Sequence, residues 1–328
     1  IDIEDLIEEE TCAFTLSNQG YIKRMSVDTY RTQSRGGRGV SAQNLKEEDY
    51  VKNIFVASTH DHMLFFTDLG RVHHRKGYQI PEASRTARGT AIVNILPLEQ
   101  GESVTAVVTT REFESSEYLM MVTRNGTIKR IPFIALKTNR KGGIRAITLD
   151  EGDHLINVIR TKGDDNILIA TAQGMAICFN ENDARPMGRD AAGVRGISLA
   201  DGDYVVGAEK AEEGKQLLTV TEKGYGKRTE LSEYLRTAAD GTKTAQQRGG
   251  KGLKNYNITD KTGLVAGCRV VAEDDDVMLI ETGGVIIRVP AASINVYKRD
   301  VQGVIVMRLE EGNQVVSVER IDSISEEA

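Results

Sequence analysis

One pattern of hydrophobic and polar positions returns six times along this chain. A run of apolar or β-branched residues ends in Thr or another polar residue. A turn closed by Gly follows, and the next strand opens apolar and becomes basic. The copies run from Ala13 to Arg24, Met63 to Val72, Leu119 to Arg130, Ile167 to Ile177, Leu217 to Arg228 and Val277 to Arg288. Short runs rich in Val, Ile, Thr and aromatics, with Asn-Gly, Gln-Gly or Lys-Gly between them, predict β-hairpins. The hairpins recur roughly every 50 residues, the period of a propeller blade.

After each hairpin the pattern predicts a loop that mixes Gly with basic residues. These loops are Arg35 to Gly39, Arg85 to Gly89, Asn139 to Gly143, Gly188 to Gly196, Gln247 to Gly252 and Lys298 to Val304. A further strand follows each loop, as at 91–96 and 303–308. Another then leads toward the next repeat, as at 103–108 and 314–318, with an acidic-Gly turn such as Glu151-Gly152-Asp153 before it. About four strands per repeat make one blade. One blade cannot bury both of its faces, whereas a ring of six can. The expectation is an all-β fold, a six-bladed propeller-like disc of four-stranded antiparallel blades. It forms a single domain over 1–328, with blades near 8–57, 58–111, 112–161, 162–209, 210–271 and 272–322. Helical periodicity is scarce; segments such as Ser232 to Leu235 predict single turns, and 240–245 reads as an extension of the fifth repeat alone.

Composition supports the β reading: 32 Gly stand against 5 Pro, and the absence of Trp argues against a WD40 propeller. Net charge is −6, which by itself argues against a nucleic-acid partner. The charges are segregated, however, and local field decides binding rather than the net sum. Acidic residues gather in turns, where they read as solvated charges, and basic ones recur at fixed stations of the repeat. A disc with a basic rim and acidic faces fits both facts. Cys12, Cys178 and Cys268 lie far apart in strand-like contexts, so three buried free thiols are expected rather than a zinc site or a disulfide frame. No targeting segment or long apolar run is visible, which places the protein in the cytoplasm and off the membrane. The start without Met reads as the middle of a longer polypeptide.

No catalytic constellation stands out. His60-Asp61-His62 could offer two metal ligands on one strand face, but no third has an obvious place, and Thr59 to Asp61 reads better as a turn. No Walker motif or nucleophile elbow appears. Positive charge recurs instead. The strand after each hairpin turn carries Lys23 and Arg24, then Arg71, Arg75 and Lys76, then Lys129 and Arg130, Lys227 and Arg228, and Arg288; the fourth repeat has Cys178 and Phe179 there. The loops add Arg35, Arg38, Arg85, Arg88, Arg140, Lys141, Arg189, Arg195, Arg248, Lys251 and Arg299. Gly in such loops leaves no side chain between the backbone and a partner, and Arg matches phosphate oxygens with a planar fork. Strand-edge protection is the plain alternative for the same charges. The register favours a rim that binds duplex DNA through its phosphates.

The heptapeptide Gln33-Ser34-Arg35-Gly36-Gly37-Arg38-Gly39 resembles the box of the carboxy-terminal domain of the DNA gyrase A protein. Gln247 to Gly252 is similar to a degenerate second copy, and Glu222 to Thr229, Gly188 to Gly196 and Thr59 to Asp61 resemble other family segments. The resemblance spans essentially the whole chain. It implies a six-bladed β-pinwheel, with strands exchanged between neighbouring blades, that wraps DNA around its rim for negative supercoiling. It also implies that Gln33, Arg35, Gly36, Gly37, Arg38 and Gly39 are required for wrapping. Ser34 departs from the pattern, where a second basic residue is common. No cofactor is implied in this domain, since ATP and Mg would bind elsewhere in the holoenzyme. The implied partners are double-stranded DNA, the rest of the gyrase A protein, and the gyrase B protein in an A2B2 complex. The corresponding domain of topoisomerase IV is the near alternative. A protein-interaction propeller is the alternative of another class.

Overall fold

All six predicted hairpins form in the computed structural model, which describes residues 1–28, 49–114, 116–138, 140 and 143–321. Each is the centre of an antiparallel blade. Blade one pairs Thr11–Ser17 with Tyr21–Ser26, and blade two His62–Thr67 with Arg71–Lys76. Blade three pairs Tyr118–Thr123 with Thr127–Pro132, and blade four Asn166–Thr171 with Met175–Asn180. Blades five and six use Gln216–Thr221 with Tyr225–Glu230 and Asp276–Glu281 with Ile286–Pro290.

The recurring polar residue at the end of each first strand has a local reason. Its side-chain oxygen accepts the backbone N–H four residues on, across the Gly turn. Ser17, Thr123 and Thr171 do so at 3.0, 3.1 and 3.1 Å, and Glu281 takes the same part at 3.2 Å. The inner strand of each blade pairs on the other side of that first strand, with a register shift at the matching place in all six. Such a bulge bends the strand and increases its twist.

The inner strands, Val51–Ser58, Val104–Thr110, Leu155–Thr161, Val205–Lys210, Val265–Val271 and Val315–Ile321, all line one axial cavity. Tyr50, just before the first of these, faces Ser317 in the last, where blade six meets blade one. Near the axis two arginines are paired within the chain. Arg269 reaches Glu209 at 3.2 Å and also contacts Glu319, while Arg320 reaches Glu209 at 3.3 Å.

The continuous apolar runs follow from burial on both faces. Strand side chains alternate between faces. Leu119 and Met121 pack toward blade two, and Met120 and Val122 toward blade four. Five such clusters fill the spaces between consecutive blades from one to six. Cys12, Cys178 and Cys268 are free and buried.

Two features differ from the sequence reading. The strand expected at 91–96 is only Thr90–Ala91, and that at 303–308 only Val304–Ile305. Each is an outer strand of the preceding blade: Thr90–Ala91 pairs with blade one, and Ile144–Arg145, Val194–Arg195, Leu253–Lys254 and Val304–Ile305 with blades two to five. Two residues suffice because the chain then dives inward, burying Ile92 and Leu96. Among the described residues blade six has three strands. The acidic turns also differ, because they are not simply solvated. Asp153 accepts N–H groups from Asn125 and His154 at 2.9 and 2.8 Å, and Asp203 does the same for Gln173 and Tyr204 at 2.9 and 2.8 Å. The extension of the fifth repeat is a small hairpin, Arg236–Thr237 with Lys243–Thr244.

Candidate nucleic-acid interface

The exchange of outer strands carries the Gly-basic loops to the rim. Each loop immediately precedes its outer strand, so the loop of one repeat caps the blade before it. The Gly immediately before each outer strand makes this possible. Gly252 has φ +78°, and a Cβ there would lie 2.4 Å from the carbonyl of Ala176 on the blade beneath; Gly89 has φ +97° and meets Ile22 at 2.6 Å. A side chain at this station would push the loop off its blade. The predicted reason for glycine, close approach to a polyanion, is therefore joined by a second one: close approach to the protein's own strand.

Aligning the hairpins on their turn glycines corrects the assignment of the strand cations. The third residue after the turn is Lys23, His73, Lys129, Ile177, Lys227 or Ile287, in blade order, and the fourth is Arg24, His74, Arg130, Cys178, Arg228 or Arg288. Lys23, Lys129, Arg130, Lys227 and Arg228 are buried and do not form part of an exposed rim. The Lys23 ammonium donates to the carbonyls of Ser84, Arg85 and Ala87 at 3.1, 3.0 and 2.7 Å. Lys227 does the same to Lys298, Arg299 and Val301, and Lys129 to Ala146 and Arg189. The arginines hold the next blade's 3-10 turn: Arg24 reaches Ile80 O at 2.7 Å, Arg130 Ala184 O at 3.3 Å and Arg228 Ile294 O at 2.6 Å. Arg130 also pairs with buried Glu181 at 3.1 Å and lies 3.9 Å over the Tyr118 ring. The Lys-Arg dipeptide of blades one, three and five is thus a clamp between blades. An ammonium with several carbonyl partners can be buried where a lone one could not.

The other strand cations are also engaged within the chain. Arg71 pairs with Glu102, whose burial works against its charge but whose bonds from Arg71 and Thr67 hold its pKa down at about 2. Arg75 donates to Ile95 O at 2.8 Å, Lys76 pairs with Glu4 at 3.0 Å, and Arg288 pairs with Asp276 at 2.8 Å while remaining partly exposed. His60 contacts Ile7 O at 2.8 Å and His62 faces His74 at 2.7 Å, so the two histidines of the predicted pair go to different partners. Among the described residues, no group of three or more His, Cys, Asp or Glu could hold a metal ion.

The exposed cations are those of the outer loops and strands. Arg85 and Arg88 stand over blade one, with Arg88 4.6 Å from the Tyr21 ring centre. Arg140 and Arg145 stand over blade two, Arg195 over blade three, Lys251 and Lys254 over blade four. Arg145 and Lys254 escaped the sequence reading. Each lies two residues after a loop glycine, Gly143 or Gly252, as Arg195 does after Gly193, and that register would have found them. Arg189 and Arg248 are half-buried, and Arg248 turns to carbonyls of Asp183 and Arg195 at 3.0 and 2.9 Å. The first box, Gln33 to Gly39, and Lys141 lie outside the described residues.

Neighbouring loops are also bonded to one another. Thr148 donates to Ala191 O and Asp190 O at 3.3 and 2.9 Å. Gly249 donates to Gly196 O at 2.7 Å, and Arg299 to Lys254 O at 2.9 Å. The rim from blade two to blade five is a hydrogen-bonded belt. No helix among the described residues is long and apolar enough to cross a membrane.

A family model described as DNA gyrase C-terminal domain, beta-propeller, matches residues 13–58, 61–111, 117–162, 165–212, 215–245, 244–272 and 275–322. The DNA gyrase A protein of Clostridium acetobutylicum is 46% identical over 322 residues, which cover 98% of this chain and 38% of that protein. The chain therefore spans well under half the length of this curated relative. Two solved structures share the fold at 24% identity. The C-terminal domain of DNA topoisomerase IV has a TM-score of 0.81, with 96% of this chain and 94% of that one covered. The DNA gyrase A C-terminal domain has a TM-score of 0.72, with 95% and 100% covered. The gyrase relative and the whole-chain family match settle what the shared fold leaves open between these two structures: the chain belongs to the family of DNA gyrase A C-terminal β-propeller domains.

Proposed function

We propose that this chain binds duplex DNA without sequence preference and wraps it in a chiral path around the rim, presenting it for negative supercoiling by a gyrase holoenzyme. One observation carries the reading. Exposed Arg and Lys recur on the outer loops and strands of successive blades, while Arg269 and Arg320 near the axis are paired with Glu209. Contacts to phosphates position a duplex without reading its bases. Bending costs on the order of 1–6 kcal/mol for a ~25 bp stretch, which many phosphate contacts offset. Deformability and backbone contact suffice for wrapping elsewhere, as in the histone octamer. The box Gln33, Arg35, Gly36, Gly37, Arg38 and Gly39 belongs to this proposed surface by resemblance.

In this reading the chain is an accessory part of an ATP-dependent type IIA topoisomerase. Strand cleavage and ATP hydrolysis reside in the remainder of the gyrase A protein and in the gyrase B protein, the partners of an A2B2 complex. Double-stranded DNA is the ligand, and no cofactor is assigned to this domain.

The test is a topology assay. The chain is bound to relaxed circular DNA, a nicking-closing topoisomerase is added, and the linking number is read. A shift toward positive supercoiling supports chiral wrapping. Binding without a shift means the DNA is only bent or touched, and favours the topoisomerase IV reading. Absence of binding at low salt turns the reading toward a protein-interaction propeller.

A further inference from the structure

The buried lysines sit directly beneath rim loops that bear arginines. We propose that Lys23, Lys129 and Lys227 are positioning residues for phosphate binding: each draws loop carbonyls inward and so turns loop N–H groups outward, toward a passing duplex. The proposal rests on the DNA-binding reading above and names the residues that shape its surface.

The geometry follows from the planar trans peptide, in which C=O and the next N–H point in opposite directions. Lys23 takes the carbonyls of Ser84, Arg85 and Ala87. The N–H groups of Arg85, Thr86 and Arg88 therefore face away from it. Lys227 takes the carbonyls at the same three loop positions, Lys298, Arg299 and Val301. The N–H of Arg299 then points away from the ammonium, and the Glu233 carboxylate is seated on it at 3.3 Å. An oxyanion thus already occupies one of these donors. Successive N–H groups in a turn form an anion-binding concavity. The register match of Glu233 in blade three is Ala135, so no carboxylate stands at that position there. The loop over Lys23 bears exposed Arg85 and Arg88 and no acid, whereas the other two contain Asp190 and Asp300. We assign the strongest of the three stations to residues 84–89.

The lysines also supply a signature that a purely structural role would not. Burial pulls the pKa of Lys129 and Lys227 down to about 8. Asp190 and Arg189 face Lys129; Asp300, Glu233, Arg299 and the Cys268 thiol face Lys227, whose ammonium lies 4.9 Å from the Tyr256 ring centre. Burial raises Cys268 to about 12 and Tyr256 further still, so neither changes charge between pH 7 and 9.5. An amine that loses its proton there loses a donor to the loop and a positive charge under the rim.

The experiment measures equilibrium binding of a short mixed-sequence duplex to this chain over a range of salt, at pH 7 and 9.5. Wild-type affinity falls about tenfold as the pH rises, with a salt slope shallower by roughly two. Lys23→Met weakens binding at pH 7 in the same sense. Added to Arg85→Ala with Arg88→Ala, it weakens binding less than it does alone, because it acts through that loop. If Lys23→Met does not fold, the wild-type pH profile decides. Binding that is flat with pH, or a Lys23→Met loss that simply adds to the arginine variant, overturns the positioning role and leaves DNA binding standing. No wild-type binding at low salt overturns both.

Discussion

Blades four and five receive outer strands of the same length at the same register, yet Ile177 lies beneath the loop in one and Lys227 in the other. Blade two follows blade four in lacking the cation. There Gly143 lies flush on the His73 ring, where a Cβ would come within 2.5 Å. His73 is buried, and burial with Arg71 beside it lowers its pKa, so the ring is neutral. Blades one and three follow blade five. The loops over lysines run Arg85-Thr86-Ala87, Arg189-Asp190-Ala191 and Arg299-Asp300-Val301, whereas those over His73 and Ile177 contain Gly142-Gly143 and Gly249-Gly250. The two designs solve one problem: a loop must lie flat against an outer strand without stranding its polar backbone. A cation under the loop satisfies carbonyls turned inward. Without a cation beneath, the loop carries Gly-Gly: over the His73 ring residue 143 has no room for a Cβ, whereas over Ile177 Gly250 has it.

Exchanging the two designs has the largest expected effect. Ile177→Lys buries an ammonium under a loop whose carbonyls are not gathered toward it, and should cost about 3–5 kcal/mol. Lys227→Ile strands the carbonyls of Lys298, Arg299 and Val301, and should cost about 3 kcal/mol. Urea midpoints measure both; a change below about 0.5 kcal/mol in either would erase the distinction.

Gly143→Ala comes next, at about 1–3 kcal/mol, because the added methyl meets a rigid imidazole. His73→Ala in the same chain should recover part of that loss. An additive double variant would mean that the ring is not the obstacle.

The pH response separates the clamp from global stability. The folded pKa of about 8 for Lys129 and Lys227 lies below the unfolded value of about 10.4, so between them the unfolded chain binds more protons. Their contribution to stability therefore rises with pH from about 8 to 10.4 and is lost as pH falls through 8. DNA affinity should move the opposite way. Thermal melts and binding isotherms on the same samples check the two signs, and parallel losses would point to unfolding instead.

Smaller effects test single loops. Glu233→Ala frees the Arg299 N–H and should strengthen DNA binding by about twofold, and Ala135→Glu in blade three should weaken it to a similar degree. Gly250→Ala should stay within about 0.5 kcal/mol of wild type, since the nearest atom to its Cβ is 3.9 Å away.

The sequence by itself determined the repeat, its hairpins and the blade count, because a strand buried on both faces must be a continuous apolar run, as Leu119 to Val122 is, bounded by Gly turns. It also placed the Gly-basic loops and the family resemblance. It could not tell which cations face water. Lys23 and Arg85 look alike in a linear pattern, and only the exchange of outer strands puts one beneath the loop and the other on it. The same exchange decided that each loop belongs to the blade before its own. It likewise decided that Gly89 and Gly252 must pass the carbonyls of Ile22 and Ala176 at contact distance. These are contacts between residues 67 and 76 positions apart, set by the closing of blades around an axis, and no local propensity encodes them.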